Sequence, residues 1–431
     1  MLLVALLALA ILTERGSIAL TATVNELADS QNHKAVSQAF MTAEAGIEEA
    51  KSRLMGFPAG PYPNWIGDPN ATPNPLWSAY VVTSPTWTTA LDPDFNPAQT
   101  NYFPTPGFNT NSTLVVNSLQ ATIPYWIKIK HKTEYDAEQA GHKPGTIHYQ
   151  DNDGNPAGNH TPANPGSVIY YGYPPGSTTP VQYTITGSTT GLQPVEVVRA
   201  YARSGGSWKS VEIDVGRSAG PPVMAPVYVK GDLTFQGNTP PSGFVDGVDW
   251  CGGPVDKAPM YIKTGGTMIG SPAWVGGTQS TPQSGPLDID LKAQINKMKG
   301  GATELKNDPP HAGEDINVSN VDFGSDAQYV TVYSNPPITK SLRLENVNGY
   351  GLLLVDGNLI LDDNLQWNGA VLVNGTLTFH TDPGRLRIRG TVAAGTATSD
   401  DTNPELAYDS CMLAKALQQR PLQILRWKYR S

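Results

Sequence analysis

The N-terminal segment constrains the fold most, because its pattern predicts one long helix. Residues 1–12 are uninterrupted apolar (MLLVALLALAIL). Further along, apolar residues recur every three or four positions, which marks one face of an amphipathic helix. The residues of this face are Val36, Ala39, Phe40, Ala43, Ile47, Ala50 and Leu54. The charged residues predicted for its other faces are Glu44, Glu48, Glu49, Lys51 and Arg53. Gly56, Phe57 and Pro58 then end the helix.

The apolar run by itself is shorter than the about 20 residues that a helix needs to span a bilayer. A signal peptide would also contain such a run, but no basic segment precedes it and no clear small-x-small cleavage site follows it. We therefore expect the run to continue into the amphipathic helix, with Glu14 near the end of the apolar part. The predicted helix reaches from a membrane towards a globular body.

The residues around Phe40 resemble a known protein family. The string SQAFMTAEAGIEEAKSRL (37–54) is similar to the A-F-x-x-A-E-A-G-[IL]-E signature of PilX-type minor pilins, which are type IV pilus assembly proteins. The resemblance implies membrane insertion, assembly through the hydrophobic helix, and a periplasmic or surface-exposed body. The residues expected to serve assembly are Leu3, Leu7, Ile11, Val36, Phe40, Ala43, Glu44, Gly46 and Ile47.

Two departures from the pilin pattern refine this expectation. Prepilins carry a basic leader and a processing site before the apolar run, whereas this sequence opens inside the run, so we expect a truncated or processed start. Ala5 stands where major pilins have a glutamate at mature position five. This difference and the length of 431 residues favour an accessory (minor) subunit over a major one.

Length and composition predict a two-unit, β-rich body behind the helix. A chain of 431 residues suits two folded units plus an anchor. Only 16% of the residues are charged, and 43 Gly and 37 Pro predict many turns, as in extracytoplasmic β proteins. The net charge of −9 offers no basic surface for nucleic acid, so we expect no nucleic-acid partner.

The first body region, residues 58–220, is predicted to be an antiparallel β head of pilin-like α+β type. Alternating β-branched and aromatic residues predict strands at Ala121–Tyr135, Pro180–Ser188, Val195–Arg203 and Ser207–Ser218. Before them lies a loop-rich stretch that contains Trp65, Trp77, Trp87, Tyr102 and Phe103. These aromatic residues could form a carbohydrate-binding surface, but covering the neighbouring sheet is the favoured interpretation.

One loop of this region has part of a calcium-binding pattern. Asp151, Asp153 and Asn155 are spaced like the first ligands of a calcium loop. Pro156, however, replaces the glycine of the sharp turn, and Pro162 replaces the bidentate glutamate. We therefore predict no metal site and no cofactor.

The second body region, residues 221–431, repeats an aliphatic-x-Gly-polar-aliphatic unit. The copies are Val229–Leu233, Val355–Leu359, Val373–Leu377 and Ile388–Val392. The glycines of the last three copies stand 18 and 15 residues apart, a spacing typical of β-solenoid rungs. A β-sandwich would also give short strands at this spacing.

Three further elements are predicted in this second region. Tyr261–Met268 is interpreted as an irregular rung and Ser284–Lys306 as a helical insertion. A C-terminal helix is expected to begin at Asn403 and Pro404 and to stop at Pro421, before a terminal strand.

The chain has two cysteines, Cys251 and Cys411, in no metal-ligand spacing. The segments around them also resemble the C-terminal half of large PilX-like proteins. A bond between them would close a loop of about 160 residues and stabilise the fold by at most about 5 kcal/mol. Two separate buried thiols are the alternative.

The sequence contains no motif of a known catalytic machinery. No G-x-S-x-G elbow, P-loop, dinucleotide fingerprint or H-E-x-x-H occurs. Asp356, Asp362 and Asp363 could serve a polysaccharide hydrolase or lyase only with a geometry that the sequence cannot show. We expect no catalytic residues and no enzyme.

The sequence thus predicts an α+β protein with an N-terminal helix (residues 1–57), a β head, and a C-terminal β-solenoid-like or β-sandwich domain. The expected function is that of a non-enzymatic accessory pilin of a type IV pilus or related secretion filament. The resemblance implies other pilins, the inner-membrane assembly platform and a PilY-type tip adhesin as partners. A carbohydrate-binding or carbohydrate-degrading solenoid on a pilin-like anchor, or a periplasmic protein with a cleaved signal, are the alternatives.

Overall fold

The computed structural model describes most of the chain. The described residues are 2–55, 75–82, 109–110, 113–118, 125–140, 149–153, 160–161, 164–173, 180–185, 194–235, 244–252, 256–270, 273–275, 282–307, 311, 313–380, 385–399 and 404–430. The predictions for Gly56, Phe57, Pro58, Trp65, Trp87, Tyr102, Phe103, Asn155, Pro156 and Pro162 lie outside these residues.

The described elements comprise helices and many short strands. The helices are α1 (Leu2–Met55), α2 (Glu134–Gln139), α3 (Leu291–Met298) and α4 (Ser410–Leu417). The strands are β1 (Ser78–Val82), β2 (Asn109–Thr110), β3 (Thr113–Asn117), β4 (Tyr125–His131), β5 (Tyr170–Gly172), β6 (Val181–Tyr183), β7 (Glu196–Ser204), β8 (Ser207–Arg217), β9 (Val227–Val229), β10 (Leu233–Phe235), β11 (Phe244–Asp246), β12 (Met260–Lys263), β13 (Met268–Ile269), β14 (Ala273–Val275), β15 (Gln283–Gly285), β16 (Thr303–Leu305), β17 (Ile316–Ser319), β18 (Asp322–Phe323), β19 (Val330–Ser334), β20 (Ser341–Glu345), β21 (Asn348–Val355), β22 (Asn358–Asp362), β23 (Gln366–His380), β24 (Leu386–Ser399), β25 (Pro404–Ala407) and β26 (Leu422–Arg430). The predicted α+β class with a long N-terminal helix is confirmed.

The first sheet packs against the C-terminal half of α1. Its strand order is β2-β3-β1-β4-β7-β8-β26, and its neighbours are antiparallel except for the parallel pair β1 and β3. Every second residue of β7 and β8 faces the helix, as the two-residue period of a strand requires. These inward residues are Val198, Ala200, Ala202, Val211, Ile213 and Val215.

The second sheet is large, and its described strands pair in parallel. Gln366 of β23 pairs with Asn348 of β21, 18 residues earlier, and with Arg387 of β24, 21 residues later. Leu353 and Val355 face one hydrophobic core, whereas Leu352 and Leu354 face another. Side chains of α3 and α4 belong to this other core. Burial on both faces explains the continuous apolar runs of these strands.

Glycines stack in two columns across the second sheet. In one column, Gly351 pairs with Gly369 and Gly369 with Gly390, and all three have φ between +133° and +137°. A Cβ at Gly390 would lie 1.9 Å from the carbonyl oxygen of Gly369, so a side chain is excluded there. In the other column, Gly375 donates its N–H to the oxygen of Gly357 at 3.0 Å.

The predicted repeat alignment is therefore wrong at its last copy. It placed Gly390 after Gly357 and Gly375, whereas Gly390 belongs to the column of Gly351 and Gly369. A Cβ at Gly395 would lie 2.8 Å from the oxygen of Gly375, so Gly395 continues the second column. The cause is the longer step between β23 and β24, which shifts the motif by several residues.

Several predicted element limits are corrected. The strand predicted at Ala121–Tyr135 ends at His131, because Thr133 and Asp136 form a capping box that starts α2. The C-terminal helix begins at Ser410, where the Asp409 side chain accepts the N–H of Met412. Residues 404–407 form β25 instead. The helical insertion predicted at Ser284–Lys306 contracts to α3 and is flanked by short strands.

The terminal strand β26 returns to the first sheet. It pairs antiparallel with β8, from Leu422 opposite Arg217 to Arg430 opposite Ser210. The strands of the second sheet thus lie, in sequence, between two neighbouring strands of the first sheet. Assigning residues 221–431 to one region had placed this strand with the second sheet, because its alternation shows a strand but not its partner. The division of the chain into domains stays a prediction.

Candidate assembly helix and its attachment to the body

The first half of α1 exposes a row of apolar side chains. Of the predicted assembly residues, Leu3 is 79% exposed and Leu7 is 62% exposed. The side chain of Ile11 lies outside the described residues. Further exposed apolar residues of this half are Leu6, Leu9, Leu12, Ile18, Leu20, Val24 and Leu27. A continuous apolar surface of this size marks an interaction site rather than ordinary protein surface.

Polar hydroxyls within this half are satisfied by the helix itself. Thr13, Thr21 and Thr23 each donate a hydrogen bond to the carbonyl oxygen four residues earlier, at 2.7 to 2.9 Å. Such bonds lower the cost of placing a hydroxyl in apolar surroundings. Within the described chain, no helix combines the length and apolar character needed to cross a membrane.

The second half of α1 is attached to the first sheet. Ala43, Gly46 and Ile47 are buried against it, and Val36 is half-buried. A Cβ at Gly46 would lie 3.2 Å from the Cβ of Ala200 and 3.3 Å from the Tyr125 ring. Glycine at this position therefore lets the helix approach the sheet closely.

Phe40 and Glu44 lie at the margin of the contact with the sheet and are half-buried. The Phe40 ring meets Tyr429 of β26 edge to face, with ring centroids 5.2 Å apart. The ammonium of Lys209 lies 5.8 Å from the Phe40 ring. The helix is thus fixed to the last strand of the chain as well as to the central strands.

Two charged residues that the helical pattern assigned to the polar faces are buried. Glu49 and Arg53 are 8% and 7% exposed, and the Arg53 Nε donates to the Glu49 Oε1 at 2.7 Å. The hydroxyls of Ser118 and Tyr125 donate to Glu49 Oε2. Burial, together with the bond to Glu49, raises the pKa of Tyr125 to about 12. Mutual pairing explains how these charges are tolerated beneath the helix.

Two buried arginines join α1 to the chain returning from the second sheet. Arg217 donates to the carbonyl oxygen of Leu54 and, at 2.9 Å, to that of Arg420. Arg420 in turn donates to the Ser218 oxygen at 2.6 Å. Burial lowers the pKa of Arg217 to about 10, and burial with the neighbouring Arg217 charge lowers that of Arg420 to about 9. Cations close to the last carbonyls of a helix favour its dipole.

Cys251 and Cys411 are joined in a disulfide, with Cα atoms 5.5 Å apart. The carboxylate of Asp249 accepts hydrogen bonds from the N–H and hydroxyl of Ser410, at 2.9 and 2.6 Å. The start of α4 is therefore held to the segment after β11 twice. The bond also excludes thiolate metal binding by the group Cys251, Asp409 and Cys411.

The carboxylates considered for catalysis lie in separate environments. Asp356 accepts from Asn374 at 2.9 Å, whereas Asp362 accepts from His380 at 3.0 Å and pairs with Arg343. Burial alone would raise the pKa of Asp362, but the bonds from His380 and Arg343 outweigh it and hold this pKa below its usual value. An acid kept ionised in this way is a poor proton donor at neutral pH.

Comparisons with known proteins add little. No protein-family model and no curated protein matches the chain. Among solved structures, the competence-associated pilin ComZ from Thermus thermophilus matches at 12% identity and a TM-score of 0.17. The match covers 56% of this chain and 84% of that chain. At that TM-score the likeness carries no argument about fold or function.

Proposed function

We propose that the chain is a non-enzymatic, pilin-like accessory subunit of a type IV pilus or a related secretion filament. The observation that supports this most is the division of α1 into an exposed apolar half and a half packed on the first sheet. A helix of 54 residues is about 80 Å long, so the apolar half extends far beyond the body. Lateral packing of such halves would build a filament core.

The proposed location follows from the same helix. The apolar half resides in the inner membrane before assembly, with the body in the periplasm, and then in the extracellular filament. Its partners are the equivalent helices of other pilins and the inner-membrane assembly platform. The body primes assembly or displays a surface at the tip, where a PilY-type adhesin would bind.

We further infer that the second sheet is a β-solenoid rather than a β-sandwich. Sandwich sheets are typically antiparallel, whereas the described strands here pair in parallel at steps of about 18 residues. The glycine columns support this inference, because equivalent turns stack on one another from rung to rung. A rigid stack of this kind would hold a display surface away from the filament axis.

A carbohydrate-active solenoid is not favoured by the described residues. Sugar binding uses exposed aromatic rings, but the described aromatic side chains between residues 227 and 421 are buried or half-buried except Trp250. That ring lies 4.5 Å from the Arg389 guanidinium, and its Nε1 donates to Asp246 at 2.6 Å. We therefore propose a structural role for this unit.

The test follows the N-terminus and the apolar surface in cells. Mass spectrometry of protein from membranes and from sheared surface filaments, with and without the prepilin peptidase, should find the helix retained and processed by that enzyme. Leu20→Asp should remove the protein from sheared filaments, because it places a charge in the apolar surface. Gln31→Asp, which adds the same charge at an exposed polar position, should not. A cleaved helix, or equal incorporation of both variants, would contradict the proposal.

A further inference from the structure

Three carboxylates from separate parts of the chain converge beside the first sheet. Glu134 lies in the first turn of α2, and Asp151 and Asp153 follow the short bridge formed by residues 149–150. One carboxylate oxygen from each of the three lies within 4.8 Å of the others. Proximity of acidic groups alone does not make a site, so their surroundings decide its meaning.

Glu134 is buried with one oxygen unsatisfied. Its side chain is 0% exposed, and its Oε2 accepts the N–H of Ser167 at 2.9 Å. Its Oε1, however, has no hydrogen-bond partner among the described residues. The buried hydroxyl of Tyr149, two residues before Asp151, is also without a partner in the described chain. Buried oxygens without a partner are costly, and a bound cation would satisfy them.

Negative charge exceeds positive charge around the cluster. Of the described cationic groups, His160 faces it, with Nε2 3.7 Å from the Glu134 Oε2 and Nδ1 2.7 Å from Glu138. The nearby Lys130 pairs with Asp136 at 2.7 Å instead. Four carboxylates therefore face at most one imidazolium, which favours a cation of higher charge.

The backbone around Gly166 holds the carboxylates in place. Gly166 has φ +75°, and a Cβ there would lie 2.5 Å from the Glu134 Oε2 and 2.7 Å from the His160 Nε2. The next residue, Ser167, donates its N–H to Glu134 and its hydroxyl to Asp153. Hydrogen bonds of this kind orient carboxylates that bind a metal.

We propose that Glu134, Asp151 and Asp153 bind a divalent cation of the calcium class. The ligands are all oxygen, which suits hard cations rather than zinc or copper. The ligands also come from a helix start and a loop, an irregular arrangement that calcium tolerates better than magnesium. Unlike the loop pattern rejected on sequence, this site takes its third carboxylate from a residue that precedes the loop. The site does not depend on the proposed filament role.

The experiment uses the full chain in detergent after treatment with a chelator. Calorimetric titration with CaCl2 should show one site with a dissociation constant of about 10⁻³ M or tighter. Thermal unfolding should move to a higher temperature with CaCl2, because the cation binds the folded state. MgCl2 should bind at least ten-fold more weakly.

Matched variants separate binding from general stability. Glu134→Gln and Asp153→Asn should each weaken calcium binding at least ten-fold, while Asp322→Asn, at an exposed strand position, should bind as the parent does. Without calcium, the two site variants should melt at or above the parent temperature, because one repelling charge is gone. If either variant fails to fold, Asp151→Asn at the half-buried position decides.

Two outcomes would overturn the site. One is no calcium heat and no thermal shift for the parent chain up to about ten times the millimolar affinities of extracellular calcium modules. The other is unchanged calcium affinity in the site variants. Protonation, which burial favours by raising the pKa of Glu134, is the competing way to relieve the charge, and it predicts the first outcome.

Discussion

Adjacent glutamates in α1 experience opposite environments. Glu49 lies beneath the helix, where it pairs with Arg53 and accepts from Tyr125 and Ser118. Glu48 pairs with Lys51 at 2.8 Å, with its side chain 67% exposed. The two residues therefore form a natural matched pair for measuring what the buried carboxylate contributes.

Replacing each glutamate with alanine should give very different losses of stability. Glu49→Ala removes the carboxylate that neutralises a buried guanidinium, so we expect a loss of about 3–5 kcal/mol in the free energy of unfolding. Glu48→Ala should cost at most about 1 kcal/mol, because its ion pair is exposed. Urea unfolding of the full chain in detergent, followed by tryptophan fluorescence, measures both. Equal losses would mean that the Glu49 network does not hold α1 to the sheet.

Tyr125 predicts a specific alkaline weakness. Its pKa is raised to about 12 by burial and by Glu49, against about 10 in an unfolded chain. The folded state then binds the phenolic proton more tightly, so this contribution to stability is complete below pH 10 and is lost as the pH rises to 12. The melting temperature of Tyr125→Phe should fall less steeply than that of the parent between pH 10 and 12. Parallel curves would assign the alkaline loss to other groups.

At the scale of elements, the helix and most strands of the head could be predicted from period alone. The partner of each element could not. Nothing in the spacing of Glu48 and Glu49 shows which one meets Tyr125, because that depends on the rotation of α1 over the sheet. Likewise, the column to which Gly390 belongs depends on the length of the step between β23 and β24, which the motif itself does not contain.

The close approach of α1 to the sheet depends on Gly46. Gly46→Leu would place a side chain where Ala200 and Tyr125 already lie, and we expect a loss of about 1–3 kcal/mol from overpacking. Gly16→Leu supplies the control, because no atom lies within 4 Å of a Cβ there, and it should stabilise the helix by up to about 1 kcal/mol. Thermal unfolding in detergent compares them. A stabilised Gly46→Leu would show that the helix can move away from the sheet without loss.

At the scale of the whole molecule, the return of β26 and the carboxylate cluster were both beyond the sequence. Strand β26 follows the second sheet in the chain but pairs with β8, which only tertiary structure reveals. Glu134 was likewise assigned to a strand, whereas α2 turns it towards Asp151 and Asp153. In each case a local pattern identified the residue type correctly and gave no information about a distant partner.

The arrangement of the two sheets predicts that the second can be removed without unfolding the first. Ser218 donates its N–H to the Pro421 oxygen at 3.0 Å, so the chain leaves and re-enters the first sheet at one point. Replacing residues 219–420 with Asn-Gly would join β8 and β26 in a tight hairpin. We expect the first sheet to stay folded on α1, with cooperative thermal unfolding by circular dichroism, although the bonds to Arg420 are lost.

Deleting only β26 is the matched comparison. It removes far fewer residues, yet it exposes the edge of β8 and takes away Tyr429 from Phe40. The shorter deletion should therefore melt at a lower temperature than the hairpin variant and be cleaved faster by protease. If the hairpin variant is the less stable of the two, the second sheet is needed to fold the first, and the two units cannot be treated as separable parts of the subunit.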